Sequence, residues 1–362
     1  MRKNIGIGLK NIKKINKAMI LKLIWENDNL SRINIADRLK LSPATITSLC
    51  DELIKEGMII EESIGESSGG RRPILLRINP EGGYIFTIIV NSTCLEFSLY
   101  NLAIKRVYSY EKSITEDIEI QKLYEKMVKE LDKILDELNI DKVKIIGIGI
   151  VFKNAYRYID KHVVMDTGIS MGRLNLTDAL SFIYKVPVIL SDVVDAKAIA
   201  EYYFRNVKIG GNYIYIDINE KINISVVKDG SPVKNDLYEN NEISHMVIDR
   251  NGPKCICGRK GCLYVFASTA SIVKKIMAGM IYGRKTMINQ YANNDIKNVN
   301  FDIVTNCANL GDEYIKEVIS EAADAVMIAL LNLIPLFNCK NVIAAGEIIK
   351  INYFMDELKK AA

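Results

Sequence analysis

The sequence predicts an α/β protein that opens with a winged helix-turn-helix, and three observations carry that expectation. The first eighty residues hold three short amphipathic helices, then two short strands around a glycine-rich loop. Strand-rich and helix-rich segments alternate over the rest of the chain. The second half carries a compact set of metal-ligating side chains: His245, Cys255, Cys257 and Cys262. A chain of 362 residues is too long for one typical domain, so two or three are expected.

Net charge becomes informative only when it is divided. Residues 1–80 hold 14 Lys and Arg against 9 Asp and Glu, a net +5; the remainder holds 34 against 35, a net −1, which reproduces the overall +4. A basic end on a neutral body points to nucleic acid as the partner of that end. Seven cysteines, three of them in the metal-ligating set, argue for a reducing compartment rather than a disulfide scaffold. Cys50, Cys94, Cys307 and Cys339 read as buried thiols. The basic N-terminus lacks the apolar core of a signal peptide. The apolar stretch from Val326 to Phe337 is broken by Asn332 and Pro335 and is too short to span a bilayer. These readings place the chain in the cytoplasm, with no membrane partner.

The elements follow in order. Lys14 to Glu26 carries Ala18, Met19, Leu23 and Ile24 at helical spacing, and Asn27-Asp28-Asn29 ends that helix. Ser31 caps a short second helix whose apolar residues are Ile33, Ile35, Ala36 and Leu39. Ser42 caps a third, with Pro43 at its first position, a buried stripe of Ile46, Leu49, Cys50 and Leu53, and Gly57 as terminator. A short helix, a turn and a longer helix make a helix-turn-helix. Strands at Met58 to Ile60 and Ile74 to Leu76 flank the loop Gly65 to Gly70 as a wing, with Arg71 and Arg72 at its tip.

The outward face of the third helix presents Ala44, Thr45, Thr47, Ser48 and Asp51, with Ser42 at its start. Small hydroxyl and methyl side chains let the backbone approach the major groove closely, and Ala and Thr methyls can touch thymine. Arg71 and Arg72 are suited to phosphate or to a narrow A·T-rich minor groove. Ser42, Ala44, Thr45, Thr47, Ser48, Arg71 and Arg72 are therefore the candidate contacts to a double-stranded operator. One such helix has little readout, so a homodimer or dimer of dimers on a pseudo-palindrome is expected.

The winged helix is taken as residues 1–78, the linker as 79–83 (Asn79-Pro80-Glu81-Gly82-Gly83), and the body as two halves, 84–207 and 208–362. In the first half, strands are expected at Tyr84–Asn91, Leu95–Leu99, Ile104–Tyr110 and Ile145–Ile150, and a helix at Ile118–Leu138. Further on come a helix from Val194 to Phe204 and strands Tyr213–Ile218 and Asn223–Val227, which turn at Asp229-Gly230. The last elements are a long helix from Asp312 to Phe337 and a strand from Asn341 to Ala345.

One imidazole and three thiolates can close a tetrahedral zinc site with no open position, which makes one structural Zn2+ per chain the expected cofactor. Pro253, Gly258 and Gly261 supply the turns that two thiols so close in sequence require. The string CICGRKGCL, with a histidine ten residues before its first cysteine and Glu242 three residues before that histidine, resembles the zinc motif of the ROK family of repressors, open reading frames and kinases. The wing sequence Gly69-Gly70-Arg71-Arg72-Pro73 is similar to that of the family's repressors, the xylose-repressor type among them. The resemblance implies a two-lobed, actin-like (ribonuclease-H-like) sugar-kinase fold behind the winged helix.

The resemblance also implies where kinase chemistry would sit, and the residues there depart from it. The family's Asp-x-Gly-x-Thr phosphate loop falls on Ile89-Val90-Asn91-Ser92-Thr93, and its second glycine-rich loop on Asn219-Glu220-Lys221-Ile222-Asn223. Side chains at these positions screen the amides that cradle phosphate, and Glu220 repels it. The catalytic Asp of Asn-Asp-Ala-Asn becomes Val193 in Asp192-Val193-Val194-Asp195, and the glycine pair under adenosine becomes Ala345-Gly346. The sugar contacts carried over are Asp192, Glu242 and His245, whereas Tyr264 replaces a glutamate. The chain stops sixteen residues after Gly346, where the family continues with a helix and another strand, so a shortened or truncated second lobe is expected.

The resulting expectation is a sequence-specific repressor of carbohydrate-metabolism genes with no catalytic residues, whose degenerate kinase body senses a small sugar. The alternatives are an active sugar kinase with a fused DNA module, and a ligand-blind DNA-binding regulator controlled by a protein partner.

Overall fold

A computed structural model describes residues 9–27, 29–62, 74–91, 93–114, 118–153, 156–159, 162–165, 175–204, 211–233 and 242–361. The wing loop, with Arg71 and Arg72, lies outside the described residues. The chain divides into two compact units, Met1–Ser191 and Asp192–Ala362.

The first unit opens with helices α1 (Leu9–Glu26), α2 (Arg32–Leu39) and α3 (Pro43–Lys55) and strands β1 (Leu30–Ser31), β2 (Ile59–Glu62) and β3 (Leu75–Ile78), the sheet order being β1-β3-β2. Capping is as the sequence suggests. Ser31 Oγ accepts from Asn34 N while Asn34 Oδ1 accepts from Ser31 N, both at 3.2 Å. Ser42 Oγ accepts from Thr45 N at 3.2 Å with Pro43 at the first helical position. Gly57 leaves the helix at φ +74.

Two apolar assignments need correction. On α1 the core face is Ile20 and Ile24, whereas Ala18 and Met19 are exposed. This helix has apolar residues on several sides, so spacing alone does not select the buried side. On α2, Ile33 is 69% exposed while Ile35 and Ala36 are buried.

The predicted linker is a tight joint. Pro80–Gly82 form a 3-10 turn; Asn79 Nδ2 donates to Gly57 O at 2.7 Å, and Leu102 N donates to Pro80 O at 3.0 Å. A Cβ at Gly82 would lie 2.2 Å from Gly57 O, so this position must stay glycine for the turn to touch the end of α3.

Beyond the joint come β4 (Tyr84–Val90), β5 (Cys94–Asn101), β6 (Arg106–Ser113), α4 (Ile120–Glu137), β7 (Ile145–Phe152), β8 (Tyr156–Ile159), β9 (His162–Met165), α5 (Leu176–Tyr184) and β10 (Val188–Asp192). The sheet runs β10-β7-β4-β5-β6, with β4 and β7 parallel and β5 antiparallel to both of its neighbours. Leu123, Met127, Leu131 and Ile134 of α4 pack on it. The expected strand from Ile104 begins at Arg106, because Ile104 occupies a turn at φ +61. Cys94 is half-buried rather than buried.

The second unit contains α6 (Val193–Phe204), β11 (Tyr213–Ile218), β12 (Ile222–Lys228), β13 (Ser231–Pro232), α7 (Leu263–Ala267), α8 (Thr269–Ile281), α9 (Ile288–Tyr291), α10 (Phe301–Asn309), α11 (Glu313–Phe337), β14 (Asn341–Gly346) and α12 (Asn352–Ala361). Its sheet runs β13-β12-β11-β14, with β11 and β14 parallel. The first sheet contains the same order as β6-β5-β4-β7. Each unit therefore contains one ribonuclease-H-like sheet, preceded in the first unit by the winged helix, as an actin-like kinase fold requires. The β12–β13 turn puts Asp229 at φ 51 and Gly230 at φ 75, as a two-residue hairpin requires.

By length and composition α11 could cross a bilayer, since it runs through Asn332 and Pro335 instead of breaking there. It is a core helix instead: Ile315, Val318, Ala322, Val326, Ala329 and Leu333 are buried in the lobe.

Candidate functional site

The exposed face of α3 carries Ala44, Thr45, Thr47, Ser48 and Asp51, while Ile46, Leu49, Cys50 and Leu53 face the core. Ser42, Ala44, Thr45, Thr47 and Ser48 are thus all exposed. The hydroxyls are largely engaged within the helix. Ser42 Oγ and Thr45 Oγ1 are 2.8 Å apart, and Thr47 Oγ1 donates to Pro43 O at 2.9 Å. The basic character of this end is partly spent internally: Lys13 and Lys17 pair with Glu52 at 2.6 and 2.8 Å, and Lys17 also reaches Glu56 at 2.6 Å. Sequence reasoning missed Arg32, whose Nη2 lies 2.9 Å from Asp51 Oδ1 and 2.7 Å from Glu61 Oε1. No sequence pattern marks it, because its partners are distant in the chain.

In the second unit the ligating atoms of His245, Cys255, Cys257 and Cys262 all lie within 4.8 Å of one another. Cys255 Sγ is 3.3 Å from His245 Nδ1, and Cys257 Sγ is 3.6 Å from Cys262 Sγ. A tetrahedral ion with Zn–S of about 2.3 Å and Zn–N of about 2.0 Å needs edges of roughly 3.5–3.8 Å, so the set fits a four-coordinate metal. The backbone makes this convergence possible. Cys255 N donates to Arg259 O at 2.8 Å, Gly258 N to Cys255 O at 3.0 Å, and Gly261 N to Pro253 O at 2.8 Å. Gly258 and Gly261 sit at φ +88 and +64, and a Cβ on Gly261 would overlap Asp249 O. Cys255 and Cys262 are buried and Cys257 is exposed. Hydrogen bonding from the Arg259 backbone holds the Cys257 thiol down to about 7, whereas burial pushes Cys262 up to about 12.

His245 closes the short 3-10 segment Glu242–His245, and its ring lies 5.8 Å from that of Tyr264 in the first turn of α7. The side chain of Glu242 lies outside the described residues. Asp192 stands at the end of β10, where its Oδ1 accepts from Val194 N at 2.8 Å and caps α6. Burial, with Asp195 nearby adding to it, raises its carboxyl to about 6.

The two turns that the family resemblance assigns to the phosphate loops are closed by protein groups. At the β4–β5 turn Asn91 N donates to Cys94 O at 2.9 Å, and Asn91 Nδ2 donates to Glu96 Oε1 at 2.5 Å. At the β11–β12 turn Asn219 Nδ2 donates to Asp217 Oδ1 at 2.8 Å, Glu347 N donates to Asn219 Oδ1 at 2.9 Å, and Thr269 N donates to Asn219 O at 2.9 Å. Asp217 is 2% exposed and pairs with Lys197 Nζ at 2.6 Å. Gly346 persists for a packing reason, since a Cβ there would sit 2.2 Å from Ile218 O.

Comparison with known proteins agrees with this anatomy. The ROK family matches residues 91–362, and a winged helix-turn-helix DNA-binding domain matches residues 15–60. The chain is 28% identical over 351 residues to the xylose repressor of Bacillus subtilis (strain 168), covering 94% of this chain and 84% of that one. Its fold resembles the crystal structure of a ROK family transcriptional regulator, a homolog of the E. coli MLC protein, with a TM-score of 0.79 at 23% identity over 97% of this chain and 86% of that one. A ROK hexokinase from Thermus thermophilus shares the fold of the body, with a TM-score of 0.59 at 16% identity over 77% and 88% of the two chains. A winged helix-turn-helix in front of actin-like lobes defines a DNA-binding transcriptional regulator built on a sugar-kinase frame. The chain belongs to the ROK family.

Proposed function

We propose that the protein is a sequence-specific transcriptional repressor of carbohydrate-metabolism genes, xylose metabolism foremost, and that its kinase frame senses a sugar without phosphorylating it. The observation that carries this reading is the closure of the β11–β12 turn by Asn219, whose side chain bonds Asp217 and the Glu347 amide where a phosphate would need bare backbone. Val193 at the base position cannot take a proton. The similarity to a xylose repressor supports the same direction.

In this reading residues 1–78 bind DNA and 79–83 join them to two lobes, the boundary between the lobes falling after Ser191 rather than after residue 207 as the sequence suggested. Ser42, Ala44, Thr45, Thr47 and Ser48 approach the major groove, and Arg71 and Arg72 reach phosphate or the minor groove. His245, Cys255, Cys257 and Cys262 hold one structural zinc. Asp192, Glu242 and His245 contact sugar hydroxyls, His245 through the ring nitrogen that is not on zinc. The protein works as a cytoplasmic homodimer on a pseudo-palindromic operator.

The test combines operator binding with an ATPase assay. Xylose or a related sugar should release the protein from operator DNA, and no hexose or pentose should elicit ADP. Replacing both Arg71 and Arg72 with Ala should weaken binding and lower the slope of log affinity against log salt by about 2. Sugar-dependent ADP formation by pure protein would overturn the non-enzymatic reading. A carbohydrate panel with neither binding nor release would overturn the sensor.

A further inference from the structure

The structure assigns a base-reading role to Asp51: we propose that its carboxylate accepts a hydrogen bond from the exocyclic amine of a cytosine in each operator half-site, with Arg32 as its positioning residue. The proposal rests on the DNA-binding reading and deepens it. Asp51 follows Thr47 by four residues and Ser48 by three, which puts it on their face of α3. Ala44, Thr47, Ser48, Asp51, Glu52 and Lys55 line one shallow concavity.

Most polar atoms on that face are occupied. Ser42 caps the helix and contacts Thr45, and Thr47 bonds back to Pro43. Asp51 is different: its side chain is 60% exposed and, among the described residues, only its Oδ1 is held, by Arg32 Nη2 at 2.9 Å, whereas the neighbouring carboxylate of Glu52 is engaged by Lys13 and Lys17. Oδ2 is then the atom that meets a base.

Major-groove chemistry narrows the choice of base. Guanine and thymine present acceptors there, O6, N7 and O4, which a carboxylate repels; adenine sets an acceptor, N7, beside its amine; cytosine presents a donor alone. An uncompensated carboxylate would also be repelled by the flanking phosphates. Arg32 offsets part of that charge, being shared with a second carboxylate, and it is held in place: its side chain is 21% exposed, and the same Nη2 lies 2.7 Å from Glu61 Oε1 on β2. The guanidinium therefore ties the recognition helix to the first wing strand and sets the direction of Asp51.

The experiment is selection of operator sequences from a library with randomised half-sites, using the full-length protein and folded variants matched by thermal melting. The wild type should enrich cytosine at one position per half-site. Asp51→Ala should lose that preference, with discrimination at that position falling about tenfold, while the rest of the consensus stands. Asp51→Asn should move the preference towards adenine, whose N6 and N7 suit an amide. Arg32→Ala should relax the same position, and Arg32→Lys should restore part of it. If Asp51→Ala lowers affinity equally for all sequences, or leaves the selected consensus unchanged, Asp51 only braces the helix and the proposal fails. If the wild type enriches no sequence at all, the underlying DNA-binding reading fails instead.

Discussion

The metal loop, His245 to Cys262, and the turns at Asn91 and Asn219 belong to the same kinase-like frame but dispose of their polar groups in opposite ways. In the metal loop, two left-handed glycines fold the backbone so that four ligating atoms converge on one point. At the two turns, asparagine side chains converge on the protein itself, on Glu96 in one case and on Asp217 and the Glu347 amide in the other. A site that keeps its groups aimed at a common centre can still hold a ligand. A site whose groups satisfy one another has become structure.

The largest expected effect lies in the metal loop. Cys257→Ser should lose the metal and destabilise the second lobe by more than about 4 kcal/mol, because loss of a structural metal is among the few changes that reach such values. Elemental analysis and thermal melting check this. Protein purified without chelator and free of zinc would break the comparison at its first term.

Asn219→Gly is the corresponding change at the β11–β12 turn. It removes hydrogen bonds to a buried carboxylate and a backbone amide and should cost about 2 kcal/mol, measured by denaturant unfolding. It should not create ATP turnover, since Val193 still cannot act as a base. ADP formation by this variant would mean that the turn alone had silenced a kinase.

The smallest effect is at Asp192. Its folded pKa of about 6 lies above the unfolded value of about 3.9, so the folded state binds the extra proton between those values. Its ionisation thus costs stability as pH rises through 4 to 6, and the cost is complete above about 6. Asp192→Asn keeps an oxygen for the Val194 amide and should gain about 1–2 kcal/mol at pH 7.5, the full shift being discounted because the residue is half-buried. The gain should vanish near pH 4. A pH-independent gain would show that burial of the charge is not the cause.

Much of the frame was legible from local signals. Ser31, Ser42, Pro43 and Gly57 bounded the helix-turn-helix because caps act within a few residues. The Asp229-Gly230 turn was readable for the same reason. The hairpin β8–β9, helix α5 and strand β10 were not read, and the Ile104 strand was started too early. The core side of α1 was misjudged as well, since a helix with apolar residues on several sides leaves the choice of face to its neighbours.

By itself the sequence determined the order of most elements and singled out the four side chains, His245, Cys255, Cys257 and Cys262, that the fold brings within 4.8 Å of one another, since both rest on residue type and spacing. Only the tertiary structure decided that the linker is a joint fastened to Gly57, that Arg32 holds Asp51, and that Asn219 closes the β11–β12 turn onto Asp217 and Glu347. Apart from Asn219 and Asp217, which are two residues apart, those contacts join residues far apart in the chain. Their energy depends on where folded backbones bring charges and amides together, and no local pattern encodes that.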